Sequence, residues 1–251
     1  MSTVTTADLK AIFAFPFKDE AWKQKLLIGS VVTFAGFVIP VVPWIFLLGY
    51  VARVMRQVIT EKKLPVLPEW DAWDDMVRDG VRLLGVSAVY LSPILLLMLV
   101  GWAMMFVPSF VIPFIGMESE EAIPFAIFGS MIGTFGGMAL FGIGMIVAFA
   151  ISAFIPVALS HAVAENNFKA AFRFKDWWAI FHANWGGFLI AYVLVMGVWM
   201  LAMFAMQVLY MTVILCCLLP FLLAPFGFYG ALLTNTLFAQ AYVEGQESLA
   251  L

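Results

Sequence analysis

The residues best suited to chemistry in this chain are the carboxylates of EWDAWDD, where Asp71, Asp74 and Asp75 fall close together. Oxygen ligands at short spacing suit hard cations such as Mg²⁺ or Ca²⁺. The stretch lacks the glycine-punctuated spacing of a calcium loop, and aspartate at a helix start is expected from the helix dipole alone, so these residues read as a solvated helix start. Cys216 and Cys217 are adjacent and flanked by Leu215 and Leu218, and His161 and His182 lie on separate segments. A metal site needs more ligands at other spacings, and no nucleophile stands beside a base. The expectation is no metal, no cofactor, no catalytic centre and no enzyme.

The elements around these residues explain why. A chain of 251 residues that is 64% hydrophobic and 12% charged departs far from the roughly 25% charge of a soluble domain. It reads as one integral membrane domain over 1–251, an all-α bundle of about five transmembrane helices. Five apolar blocks carry the crossings: Leu26–Ala52, Leu83–Val107, Phe125–Ser160, Gly186–Leu209 and Met211–Tyr242. Each exceeds the roughly 20 residues that one crossing needs. Pro40 and Pro43 interrupt the first block and Pro220 and Pro225 the fifth, while the third is long, so kinked, tilted or re-entrant paths are open for these three. Residues 1–25 are charged and lack the apolar core of a signal peptide, so no cleavage is expected.

The thirteen Lys and Arg residues orient the chain. Four precede the first block, six lie around the first connection (53–82) and three lie in the third (161–185), whereas the second, with Glu118, Glu120 and Glu121, has none. The positive-inside rule then places the first and third connections and the C-terminus in the cytoplasm. The N-terminus has two solutions. If Leu26–Ala52 is one span, the four N-terminal lysines lie outside; if it is a hairpin turning at Pro40–Pro43, all thirteen basic residues lie inside, but each arm is too short to cross.

The two cytoplasmic connections are expected to be interfacial amphipathic segments. Between Gly49 and Gly80 lie eleven of the chain's 29 charged residues. Asn167–Ala183 places Phe168, Ala171, Phe172, Trp178 and Phe181 at helical spacing opposite basic residues, the pattern of a helix lying in the headgroup plane. Arg53, Arg56, Lys62, Lys63, Lys169, Arg173 and Lys175 are candidates for anionic lipid headgroups, and Trp70, Trp73, Trp177 and Trp178 for interface anchors. Gly129, Gly133 and Gly137 form overlapping GxxxG spacings, a helix-packing face used within the bundle or toward another subunit. Gln207, Asn235 and Gln240 read as hydrogen-bonding glue between helices. A weak internal repeat pairs Pro43, Trp70, Trp73 and Gly80 with Pro156, Trp177, Trp178 and Gly186.

The run LLGYVARVMRQVITEKKLPVLPEWDAWDDMVRDGVRLL resembles the signature of the DUF4013 family of bacterial and archaeal membrane proteins. The matching residues are Gly49, Tyr50, Arg53, Arg56, Leu64-Pro65 or Leu67-Pro68, Glu69, Trp70, Asp74, Asp75 and Gly80. SHAVAENNFKAAFRFKDWW, with Ala170, Ala171 and Phe172, is similar to the family's second cytoplasmic connection. Lys62, Lys63 and a second proline before Glu69 depart from the pattern. The resemblance implies a multi-helix inner-membrane protein and carries no established activity. Two function classes remain: a structural or accessory subunit that packs with other membrane proteins or with itself, and a passive transporter, channel or lipid-handling protein. The bilayer and its anionic headgroups are expected partners; nucleic acid is not.

Overall fold

The computed structural model describes residues 6–118, 121, 123–211 and 218–250. Cys216, Cys217 and Glu120 lie outside the described residues. The described chain is all helical: α1 (Thr6–Ala14), a 3-10 turn (Phe15–Phe17), α2 (Trp22–Ala35), α3 (Val42–Glu61), α4 (Trp73–Glu118), α5 (Ile123–Ser152), α6 (Ile155–Ala164), a second 3-10 turn (Phe168–Phe172), α7 (Phe174–Ala183), α8 (Trp185–Met211) and α9 (Leu219–Ala250). Five stretches are long and apolar enough to cross a membrane: Val42–Glu61, Trp73–Pro108, Ile123–Ala164, Trp185–Met211 and Leu219–Ala250.

The chain packs as two compact units, Met1–Val86 with Pro156–Leu251, and Ser87–Ile155. In the first, α9 is the central element and packs against α2, α3, α7 and α8. Its Phe228, Leu232 and Tyr242 are fully buried. Gly29 of α2 sits against the Phe228 ring so closely that a Cβ there would overlap it, and Phe34 stacks on Phe221 at 5.1 Å. Pro225 lies inside α9, which continues through it from Leu219 to Ala250. Asn235 donates to the Ala231 carbonyl of its own helix at 2.8 Å, not to another helix.

The first block is not one continuous helix. It is a helical hairpin in which α2 and α3 pack on each other, and the turn occupies Gly36–Val41, short of the Pro40–Pro43 position expected from the prolines. Pro43 instead falls in the first turn of α3, where its missing N–H costs nothing. The turn is closed by Val41, whose φ of 75° and ψ of −59°, with Val42 N–H donating to the Pro40 carbonyl at 3.0 Å, define a γ-turn of the strained positive-φ kind.

The second unit joins the outer part of α4 to α5 through their glycines. A Cβ on Gly137 would come within 2.6 Å of the Gly101 carbonyl oxygen and one on Gly101 within 2.9 Å of the Gly137 oxygen, while Gly133 faces the Met104 carbonyl. The glycine face is therefore covered by this chain's own α4 at Gly133 and Gly137, which takes those two residues away from an oligomer contact. Gly129 has nothing within 4 Å. Phe125, Phe128, Phe135, Ile146 and Phe149 of α5 are exposed. A contiguous apolar surface of this kind is stable only against lipid or another apolar partner.

Candidate functional site at the charged end of the bundle

The segment from Gly49 to Gly80 forms where α3 crosses the start of α4. The crossing is set by the two glycines: a Cβ on Gly49 would overlap the Met76 backbone, and one on Gly80 the Ile45 carbonyl. Only residues without side chains allow backbones this close. The connection between the helices folds back over Tyr50, which is fully buried. Its hydroxyl donates to the Pro68 carbonyl at 2.9 Å, and its ring stacks on Trp70 at 4.2 Å. The Val66 N–H donates to the Gln57 side chain.

Lys25 fastens the base of α2 to this connection. Its ammonium donates to Asp19 at 2.7 Å and to the Leu67 carbonyl at 2.8 Å, and it pairs with Glu69 at 2.7 Å, so three donors meet three acceptors. The Trp70 indole N–H returns a bond to the Lys25 carbonyl. The hydrogen bond from Lys25 holds the Asp19 carboxyl below its ordinary 3.8. Burial disfavours the Lys25 ammonium, but its bonds to Asp19 and Glu69 outweigh that and keep its pKa above 10.5. These contacts place the start of α2 and the first connection at one end of the unit.

The other charged groups close the same end. Asp79, 2% exposed, accepts from Arg56 at 2.8 Å and from Arg82 at 3.2 Å. Arg82 also donates to the Asn166 side chain, which brings the segment after α6 to the α3–α4 crossing. Lys62 pairs with Glu247 of α9 at 2.7 Å, and Asn184 donates to the Ala241 carbonyl at 2.9 Å and to Glu244 at 3.1 Å. His161, buried, lies 2.8 Å from the Tyr242 hydroxyl through Nδ1. Gln246 donates to that hydroxyl, so Tyr242 links His161 of α6 to Gln246 in the last turns of α9.

This arrangement redistributes the seven basic candidates. Arg53 is held by Asp71 at 3.3 Å and by the Glu69 carbonyl at 2.9 Å, Arg56 by Asp79, Lys62 by Glu247, and Arg173 by Glu165 and Asp176, both at 3.2 Å. Lys63, Lys169 and Lys175 are exposed, and among the described residues no ion pair engages them. Two of the aspartates turn to separate arginines: Asp71 to Arg53, whose hydrogen bond holds its carboxyl below the ordinary 3.8, and Asp75 to Arg78 at 2.6 Å.

The aromatic candidates divide as well. Trp73 and Trp178 are exposed, Trp70 is half-buried and Trp177 is fully buried. Trp177 is a core residue rather than an interface anchor; its indole donates to the Ala171 carbonyl at 3.0 Å. Asn167–Ala183 is not one amphipathic helix. It breaks at Arg173 (φ −81°, ψ 74°) between the 3-10 turn and α7. Trp177, Ile180 and Phe181 form the inward face of α7, with Phe174 and Trp178 outward. The glycines of the repeat play different parts, because Gly186 has nothing within 4 Å whereas Gly80 sits on a backbone crossing. Asp79 and Lys25, the two most buried charged residues of this end, were not singled out from sequence. For Asp79 the available signal was its place three residues before Arg82 and directly before the crossing glycine.

An all-helical chain with five long apolar segments defines a multi-pass α-helical membrane protein. The chain belongs to the DUF4013 family, described as a protein of unknown function, which it matches over residues 32–218. No curated protein and no solved structure matches it. The family match ends before α9, the helix on which most of the first unit packs.

Proposed function

We propose that this chain is a non-catalytic structural or accessory membrane subunit that offers its apolar flanks to partner helices and its charged end to the membrane surface. One observation carries the reading. Among the described residues, two of the grooves beside α9 offer an ion or hydrophilic solute no free polar side chain, and the polar grooves, lined by Lys62, Lys63 and Glu247 and by Arg53, Arg56 and Glu61, lie at the charged end. The groove of about 400 Å³ between α8 and α9 is lined by Val198, Leu201, Met206, Leu222 and Phe226 among others, all apolar. The groove of about 300 Å³ between α2 and α9, where Pro225 lies, has Ser30 as its one polar side chain. That hydroxyl is already bonded to the Leu26 carbonyl. At the charged end most ionisable groups hold one element to another, which suits a fixed platform more than a transport path or a reactive centre.

The positive-inside rule puts this end in the cytoplasm, and the Lys62–Glu247 pair carries the end of α9 with it. Lys63, Lys169 and Lys175 are the cations left for anionic headgroups. Purification of the full chain in mild detergent tests the role. A stoichiometric membrane-protein partner is expected; a monodisperse chain that accelerates solute flux in proteoliposomes would replace this reading with the passive-pathway one.

A further inference from the structure

We infer that the α2–α3 hairpin is re-entrant: it enters the membrane from the charged end, stops near the middle of the bilayer and returns, so α3 does not cross although its length alone would allow it. The first observation is which ends meet. Lys25 at the base of α2 is bonded to Leu67 and Glu69 beyond the far end of α3, and Trp70 is bonded back to Lys25. A segment whose two ends are joined at one surface does not separate two compartments.

The second observation is depth. On α2 the stretch free of charge runs from Lys25 to the end at Ala35, and on α3 from the start at Val42 to Arg53. At 1.5 Å per residue these arms measure about 15 Å and about 16 Å. The hydrocarbon core is about 30 Å thick. Two arms of different total length thus agree on an apolar depth of half a bilayer.

The third observation is the chemistry of the tip. Phe37, Val38, Ile39, Val41 and Val42 are each more than half exposed, a surface that water disfavours and acyl chains accept. The backbone suits the same place. The N–H groups of Gly36, Phe37, Val38, Ile39 and Val42 are bonded to carbonyls within residues 32–40 and Pro40 and Pro43 have none, so only Val41 and Trp44 keep an N–H without a backbone acceptor. In hydrocarbon an unpaired N–H costs several kcal/mol, and the closed turn leaves few of them. The tip is built for the acyl-chain layer of one leaflet. All thirteen basic residues then lie on one side of the membrane.

The test uses the full chain with Cys216 and Cys217 replaced by serine and single cysteines introduced as Lys23→Cys, Lys63→Cys and Val38→Cys. Right-side-out and inverted vesicles are treated with a membrane-impermeant maleimide. Lys23→Cys and Lys63→Cys are expected to label from one and the same face, and Val38→Cys to lose labelling from both. A nitroxide at Val38 is expected to report a depth near the bilayer centre by its oxygen accessibility. Ile39→Cys repeats the measurement where Val38→Cys fails to fold. Labelling of Lys23→Cys and Lys63→Cys from opposite faces, reaction of either tip cysteine with the impermeant reagent, or a tip nitroxide at headgroup depth overturns the inference.

Discussion

Replacing Lys25 by methionine is expected to loosen the charged end more than any other single charge removal. Methionine keeps most of the apolar stem and removes the ammonium. The Lys25 and Asp19 side chains are 6% and 10% exposed, while Glu69 is 67% exposed. The Glu69 pair therefore contributes little, on the order of 0–1 kcal/mol. Asp19 is different: without Lys25 it keeps the Ala21 N–H at 2.8 Å but is a buried carboxylate without its cation, a change that costs about 3–5 kcal/mol. The Leu67 carbonyl loses its donor too, but the two losses share one group and do not add, so about 3–4 kcal/mol is expected in all.

Equilibrium unfolding in a fixed detergent, followed by tryptophan fluorescence, measures it, with Trp70 as an internal reporter because its indole is bonded to Lys25. Asp19→Asn in the same chain removes the stranded charge and should recover most of the loss. Glu69→Gln alone should stay within about 1 kcal/mol of the parent. A Lys25→Met chain no less stable than Lys23→Met, or Glu69→Gln costing as much as Lys25→Met, would show that the clamp is a surface pair and refute the reasoning.

The remaining expectations follow from the same geometry. Gly49→Ala and Gly80→Ala each force a methyl into a neighbouring backbone and should cost about 1–3 kcal/mol or more, whereas Gly142→Ala, with nothing within 4 Å, should be neutral or gain about 0.5–1 kcal/mol from helix propensity; thermal unfolding of the three separates the cases. Because the Asp19 pKa is lowered, its contribution is complete above pH 3.8 and is lost as pH falls through the lower folded value; because that of Lys25 is raised, its contribution is complete below pH 10.5 and is lost as pH rises past the higher folded value. Unfolding midpoints against pH should show the acid-side loss vanish in Asp19→Asn. Tyr242→Phe strips His161 Nδ1 of its partner and should cost about 1–3 kcal/mol, read in the same unfolding assay. Gly137→Leu should destabilise the chain without changing its assembly size in detergent, as gel filtration would show.

The membrane class, the helical content, four of the five long apolar blocks and the concentration of charge between Gly49 and Gly80 were legible in the sequence. Length, hydropathy and charge position are local properties that the chain carries whether folded or not. The aspartates at the start of α4 belong to this group, since a helix dipole favours them wherever the helix lies. Spacing along one helix was less secure. It placed Trp177 and Trp178 together at the interface, but the break at Arg173 turns Trp177 inward and leaves Trp178 outside. It found the Gly129–Gly137 face but not what covers it, because a glycine's neighbour belongs to another segment, here Gly101 and Met104 on α4.

The sequence by itself determined the solvent this protein is built for and where along the chain it meets water. Tertiary structure decided the path of the first block and the partners of the charges. Residues 26–52 are apolar enough for one long helix or for two, and only the γ-turn at Val41 and the bonds from Lys25 to residues more than forty positions away show the two-helix path. Likewise Arg56, Lys62 and Arg173 are free cations in the sequence and hydrogen-bonded ones in the fold. The reason is physical: hydropathy is a sum over neighbours in the chain, whereas a buried charge is tolerated only where a distant segment supplies its counter-charge.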